Sequence, residues 1–165
     1  VTNEKCGACH NEIRFHGEQR FGVEVCVMCH RPNLSEDGVS VNFKEMIHKI
    51  HMGEELENGY FLGDTNLGET RYPADRRICS MCHAAGTFGV PLPDEAGPTV
   101  IEAEQEGGAD EVIPPTRAAC VSCHDSIAAD THAFVNSNAQ GVESCAVCHG
   151  AAAGDAVAAV HALTP

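Results

Sequence analysis

Ten cysteines in 165 residues stand in five pairs, each pair spaced by two residues and followed at once by histidine. The pentads are Cys6-Gly7-Ala8-Cys9-His10, Cys26-Val27-Met28-Cys29-His30, Cys79-Ser80-Met81-Cys82-His83, Cys120-Val121-Ser122-Cys123-His124 and Cys145-Ala146-Val147-Cys148-His149. Thiols three positions apart share one helical turn, so they can reach the two vinyl groups along one edge of a porphyrin, and the adjoining imidazole then lies under the ring as an iron ligand. Zinc knuckles also use paired cysteines. Five pairs, however, do not divide among two-pair zinc sites, and zinc gives no reason for histidine to follow every second cysteine. Redox disulfides fail for the same reason. The pattern therefore predicts five covalently bound c-type haems. Cys6, Cys9, Cys26, Cys29, Cys79, Cys82, Cys120, Cys123, Cys145 and Cys148 are the attachment points, and His10, His30, His83, His124 and His149 are iron ligands.

Five histidines remain: His16, His48, His51, His132 and His161. Their number equals that of the open sixth positions on five irons. If each ligates, every iron is bis-histidine and low-spin, with no vacant position for a substrate. Each must be neutral to bind iron, so none should act as an ordinary pH-sensing imidazole. The sequence leaves open which of them serves which haem, and whether any crosses to another subunit.

These ligands need elements to hold them. Within residues 42–52, Phe43, Met46, Ile47 and Ile50 recur at the spacing of one helical face, with Asn42 and Glu45 offering a start like a capping box and Gly53 a stop. His48 and His51 lie beside that stripe, about 60° apart at 100° per residue, so one helix can serve two neighbouring haems. Near the end of the chain, Val157, Val160 and His161 share a helical face that Asp155 can cap. His16, between Phe15 and Gly17, and His132, after Asp130 and Thr131, have weaker local signals.

An internal echo organises the rest. Gly22-Val-Glu-Val-Cys26-Val-Met-Cys29-His30 aligns without gaps on Gly141-Val-Glu-Ser-Cys145-Ala-Val-Cys148-His149, and each block follows another pentad and one spare histidine. This predicts two related two-haem modules, near residues 6–30 and 120–149, with the third haem and the His48/His51 helix between them. Residues 84–119 form an acidic excursion without a pentad, rich in Pro and Gly and including Glu102, Glu104, Glu106, Asp110 and Glu111. It reads as solvated, with a weak signal for a hairpin of Val100-Ile101 and Val112-Ile113 around Gly107-Gly108. Glu36-Asp37-Gly38 lacks the ligand spacing of a calcium loop.

The fold class expected over residues 1–165 is one domain, mainly α with much irregular coil. It is a multihaem cytochrome c fold packed around five covalent haems, with no substantial β-sheet. Only 5% of residues are aromatic and none is tryptophan, while a compact chain of this length has a radius of gyration of about 15 Å. The haems then form the core and the peptide wraps them.

Acidic residues outnumber basic ones 24 to 10, a formal charge of −14 without any basic tract, which excludes an electrostatic grip on nucleic acid or anionic lipid. The sequence contains no transmembrane segment, having no apolar run long enough to span a bilayer, and no signal-peptide pattern at Val1, so the chain reads as mature or excised.

Taken together, the pentads, Phe15-His16-Gly17, the helix of Asn42-Phe43-Lys44 and Met46-Ile47-His48-Lys49-Ile50-His51, and the closing His149-Gly150 and His161 resemble one pentahaem domain of the OmcA/MtrC family of outer-membrane decahaem cytochromes. The likeness spans nearly the whole chain. It implies a chain of bis-histidine haems conducting electrons outside the cytoplasm, at the cell surface or extracellularly rather than in the periplasm. Implied partners are external acceptors such as minerals or flavins, other multihaem cytochromes, or identical subunits in a homopolymer. Members of that family carry two pentahaem domains with flanking β-barrel domains, so the chain is expected to be a fragment, a single-module relative or a filament protomer. The expected role is electron transfer without a dedicated catalytic site. The alternatives are a soluble periplasmic pentahaem shuttle and, less favoured because the histidine supply is full, a multihaem reductase with an open haem site.

Overall fold

Each cysteine pair in this chain begins on a helical segment. The computed structural model describes residues 1–163 apart from 104, 106 and 139; Glu104 and Glu106 of the acidic excursion therefore lie outside the described residues. Helix α1 (Asn3–His10) holds the first pentad, capped by Thr2, whose hydroxyl oxygen accepts from Lys5 N. Helix α2 (Val23–Cys29) carries the second pair, and the third sits on a 3-10 turn over Cys79–Met81. Further along, α4 (Pro115–Val121) reaches Cys120 with proline in its first turn, and α6 (Cys145–His149) spans the fifth pentad. Sequence reasoning put the helices mostly after the pentads. The structure puts the cysteine pairs on the turns themselves, because two thiols three positions apart face one side only when the backbone between them is coiled.

Helix α3 (Phe43–Met52) carries His48 and His51, α5 (Ile127–Val135) carries His132, and α7 (Val157–Val160) ends on His161 as its cap. Among the described residues the strands form four separate antiparallel pairs: β1 (Arg14–Phe15) with β2 (Arg20–Phe21), β3 (Ser35–Glu36) with β4 (Val39–Ser40), β5 (Phe61–Leu62) with β6 (Thr65–Asn66), and β7 (Thr99–Ile101) with β8 (Glu111–Ile113). The last is the hairpin signalled in the excursion, with Val100 opposite Val112.

Among the described residues, the apolar stripe of α3 makes the one buried cluster. Met46 packs with Val41, Leu56 and Tyr60, and Phe43, Ile47 and Ile50 close its edge. Gly53 ends the helix at φ +47°, and a Cβ there would run into the Thr70 carbonyl, so both conformation and space demand glycine. Outside this cluster the chain is open. Its accessible surface is 10550 Å², against about 7,900 Å² for a compact monomer of this mass.

The expected capping box does not form. Asn42 is the N-cap of α3 but makes no side-chain capping bond. Its Nδ2 donates instead to Thr99 Oγ1 at 2.8 Å, and the Thr99 hydroxyl donates to the carboxylate of Glu45, which is only 3% exposed. This node, with Lys44 Nζ donating to Gly97 O, ties the excursion to α3, and Val100 N donating to Pro32 O ties it to the segment after the second pentad. The excursion is thus anchored at Thr99, although much of the remainder is exposed. Thr99→Val would leave the Glu45 carboxylate buried without that donor, at a cost of about 1–3 kcal/mol or more. The expected result is a lower denaturant midpoint for the haem-loaded protein; an unchanged midpoint would mean that Thr99 contributes nothing to holding the excursion.

Candidate functional site

The ten histidines meet in five pairs, and each pair joins one pentad histidine to one of the five others. Ring centroids lie 5.9 Å apart for His10 and His51, 6.0 Å for His16 and His30, 5.9 Å for His48 and His83, 5.9 Å for His124 and His161, and 6.1 Å for His132 and His149. Direct stacking would bring rings closer. A metal holds an imidazole nitrogen at about 2 Å, with the ring centroid roughly another 1 Å behind it, so two rings on opposite sides of one ion stand about 6 Å apart. The spacing fits an iron between each pair.

Second contacts orient several rings for that task. His51 Nδ1 donates to Ile47 O at 2.8 Å and His161 Nδ1 to Val157 O at 2.9 Å, each one helical turn back. His30 Nδ1 donates to Val41 O and His149 Nδ1 to Asp155 O, both at 3.0 Å. A carbonyl can only accept, so Nδ1 bears the proton in these four rings and the Nε2 lone pair is available to a metal. Asp155 serves here through its backbone; the N-cap of α7 is Ala156, with no side-chain capping bond, so the expected Asp155 cap is absent. His48 differs. Its Nδ1 is buried without a hydrogen-bond partner, and burial, helped by His83, His51 and Lys44, pushes its pKa down to about 4. Burial, then the N-terminus and Lys5, also lowers that of His83. Both rings are therefore held neutral, as iron ligation requires.

The apolar residues left exposed fit a planar apolar group. Val27 and Met28 within the second pentad, Val147 within the fifth, and Phe15 and Phe134 beside His16 and His132 are all 42% exposed or more. Among the described residues no three His, Cys, Asp or Glu side chains converge as a metal cluster would need; what converges is rings in pairs beside thiols.

The centres also have an order. His48 and His51 sit three residues apart on α3, so the sites of the third and first pentads share a helix, and Lys5 Nζ donates to Ser80 O at 2.7 Å across the same junction. Cys79 lies close enough to Cys123 to add, after burial and Cys120, to a thiol pKa pushed up to about 11. One groove is lined by Cys79, Ser80 and Phe88 on the third site's side and by Val157 and His161 on the fourth's. Site one meets site two where Asn3 Oδ1 accepts from Val23 N and its Nδ2 donates to Glu24, and site four meets site five where α4 packs on α5.

Against known families, residues 1–162 match the model described as outer membrane cytochrome MtrC/MtrF-like, domains II/IV. The chain belongs to that family. No curated protein and no solved structure matches it. Membership in the MtrC/MtrF-like family makes the chain an electron-transfer cytochrome with c-type haem as cofactor, redox proteins or acceptors as partners, and a place outside the cytoplasm. Among the described residues no helix is long and apolar enough to cross a membrane.

Sequence reasoning named all ten histidines but not their pairing, nor the carbonyls that orient them. It also passed over Arg117, three residues before Cys120. That side chain is only 10% exposed, spans Glu111 and Asp130, and lies over the Phe134 ring.

Proposed function

We propose that this chain conducts electrons through five bis-histidine c-type haems strung in the order two, one, three, four, five. The observation that carries this reading is the set of five centroid distances between 5.9 and 6.1 Å, each joining one pentad histidine to one distal histidine. When bound, the haems supply the redox change at iron. Each pair of histidines would supply two nitrogens to one iron, with the proton at Nδ1 and Nε2 left free in His30, His51, His149 and His161, and the contacts between sites would keep neighbouring haems close. With two histidines supplied to each iron, no ligand position would be left for a substrate, which favours conduction over a reductase.

The ends of the chain support a reading as two related two-haem modules. In each, the spare histidine after the first pentad faces the second pentad's histidine (His16 with His30, His132 with His149). The second pentad's Nδ1 then binds the carbonyl just before the next helix's N-cap, and that helix returns a histidine to the first pentad (His51 to His10, His161 to His124). Family membership supports extracellular electron transfer by a surface conduit; a filament of identical subunits is the other form this reading can take.

Electron paramagnetic resonance of the native, oxidised protein tests the ligation. Near-parallel imidazole planes split the iron orbitals that hold the unpaired electron and give a rhombic low-spin signal; near-perpendicular planes leave those orbitals almost degenerate and give a far more anisotropic one. The planes meet at 21° for His16 and His30 and 24° for His48 and His83, but at 79° for His10 and His51 and 86° for His132 and His149. The expected spectrum holds two rhombic and two strongly anisotropic low-spin species, with the 51° pair of His124 and His161 between. A high-spin ferric signal in a native sample would overturn full bis-histidine ligation and revive the reductase reading.

A further inference from the structure

Four of the five distal histidines are carried by helices: His48 and His51 by α3, His132 by α5, and His161 as the cap of α7. His16 is not. It stands in the turn over residues 16–19 between β1 and β2, strands of two residues each, and every residue from Arg14 to Phe21 is exposed. His16, Gly17 and Glu18 follow one another at φ +54°, +70° and +64°, a region that residues other than glycine enter at a cost. A Cβ on Gly17 would meet no described atom within 4 Å, so the space beside the turn is open. Its partner His30 is tied to Val41 O at 3.0 Å, and no such tie holds the His16 ring among the described residues.

The internal echo sharpens the contrast. His132 is the counterpart of His16 in the second module, each being the spare histidine between two pentads and each facing the second of them. His132 lies within the nine residues of α5, whose N-cap Ser126 accepts from Ala129 N. One end of the chain thus holds its distal ligand on a capped helix, the other on a strained, exposed turn. We infer that His16 is a releasable ligand, and that the second haem, once reduced, takes a neutral diatomic π-acceptor of the class of carbon monoxide and nitric oxide in its place. In that step the bond from iron to the His16 imidazole breaks and one from iron to the carbon or nitrogen of the ligand forms. The imidazole leaves neutral, and no electron or proton is gained or lost. Ferrous iron is the softer ion and suits such a ligand, access to the distal side decides whether it enters, and release frees residues 16–18 to return to ordinary backbone angles. A bound π-acceptor holds that iron ferrous. On the proposed order the second site is an end of the chain, so binding there closes that end to electrons.

This inference rests on the haem reading above, and the experiment separates the two. Native haem-loaded protein is checked in the oxidised state for low-spin iron, then reduced without oxygen and titrated with carbon monoxide, with uptake followed by the visible spectrum and the infrared stretch of the bound gas. One carbon monoxide per chain is expected, with the remaining haems unmoved. His16→Ala is expected to take up one per chain as well, about tenfold faster or more, since no bond from iron to imidazole has to break first. His132→Ala opens a position at the other end and is expected to take up two. No uptake by the reduced native protein would mean that His16 holds its place, and would overturn the inference. Two equivalents bound by His16→Ala would put the native site on another haem and overturn it equally. High-spin ferric iron in the native sample would instead overturn the reading on which the inference rests.

Discussion

Expressed without haem attachment, for instance with all ten cysteines changed to serine, this chain is expected to stay unfolded. Among the described residues the buried apolar side chains are Val41, Met46, Leu56, Tyr60, Pro114, Ala118 and Ala156, of which four cluster around α3 and two are alanines. Against that stands the conformational entropy of ordering a whole chain, about 1–2 kcal/mol per residue for the backbone alone. The surface excess points the same way: 10550 Å² for a mass that a compact protein encloses in about 7,900 Å² leaves a large area for haem faces to cover. Small-angle scattering separates the outcomes, since the unfolded chain has a radius of gyration of about 43 Å and the compact one about 15 Å. A value near the lower figure with a cooperative thermal transition would mean that the peptide folds first and the haems enter as guests.

The legible part of this protein was its chemistry. Spacing alone named the pentads, and subtraction named His16, His48, His51, His132 and His161, because haem attachment dictates residue types at fixed intervals. The amphipathic α3 and its glycine stop were readable too, since an apolar stripe and a positive-φ cap leave local marks. What escaped was set by distant contacts. Asn42 and Glu45 have the spacing of a capping box, yet Thr99, 57 and 54 residues further on, draws both side chains away. Asp155 looked like a cap, but its carbonyl is used by His149. The pairing of His10 with His51 rather than with nearer His16 follows from where α3 lies, which no local pattern encodes. Arg117 carries no motif; only its alignment with Asn3, three residues before the first cysteine of a module, could have drawn attention to it.

His48→Ala is expected to do more damage to conduction than loss of any terminal ligand. On the proposed order the third haem is the bridge between the pair at His10 and His30 and the pair at His124 and His149, and His48 is its distal ligand. Its Nδ1 is buried and has no protein partner, and each of the other histidines is already paired or faces the same site, so none is spare to take over. Removing it leaves a five-coordinate, high-spin iron and raises that potential by on the order of 0.1 V, a modest part of the roughly 0.8 V that axial ligands control. At about 59 mV per decade the bridge then holds an electron roughly fiftyfold more tightly than before, and transfer across the molecule slows correspondingly. His16→Ala removes one low-spin signal in the same way but leaves sites one, three, four and five connected, so photoreduction at one end followed by reoxidation at the other distinguishes the two. Added imidazole, which fits the space His48 vacates, is expected to restore both the low-spin signal and the rate. Equal slowing in the two variants would remove the third haem from the centre of the chain, and with it the reason for α3 to carry two ligands three residues apart.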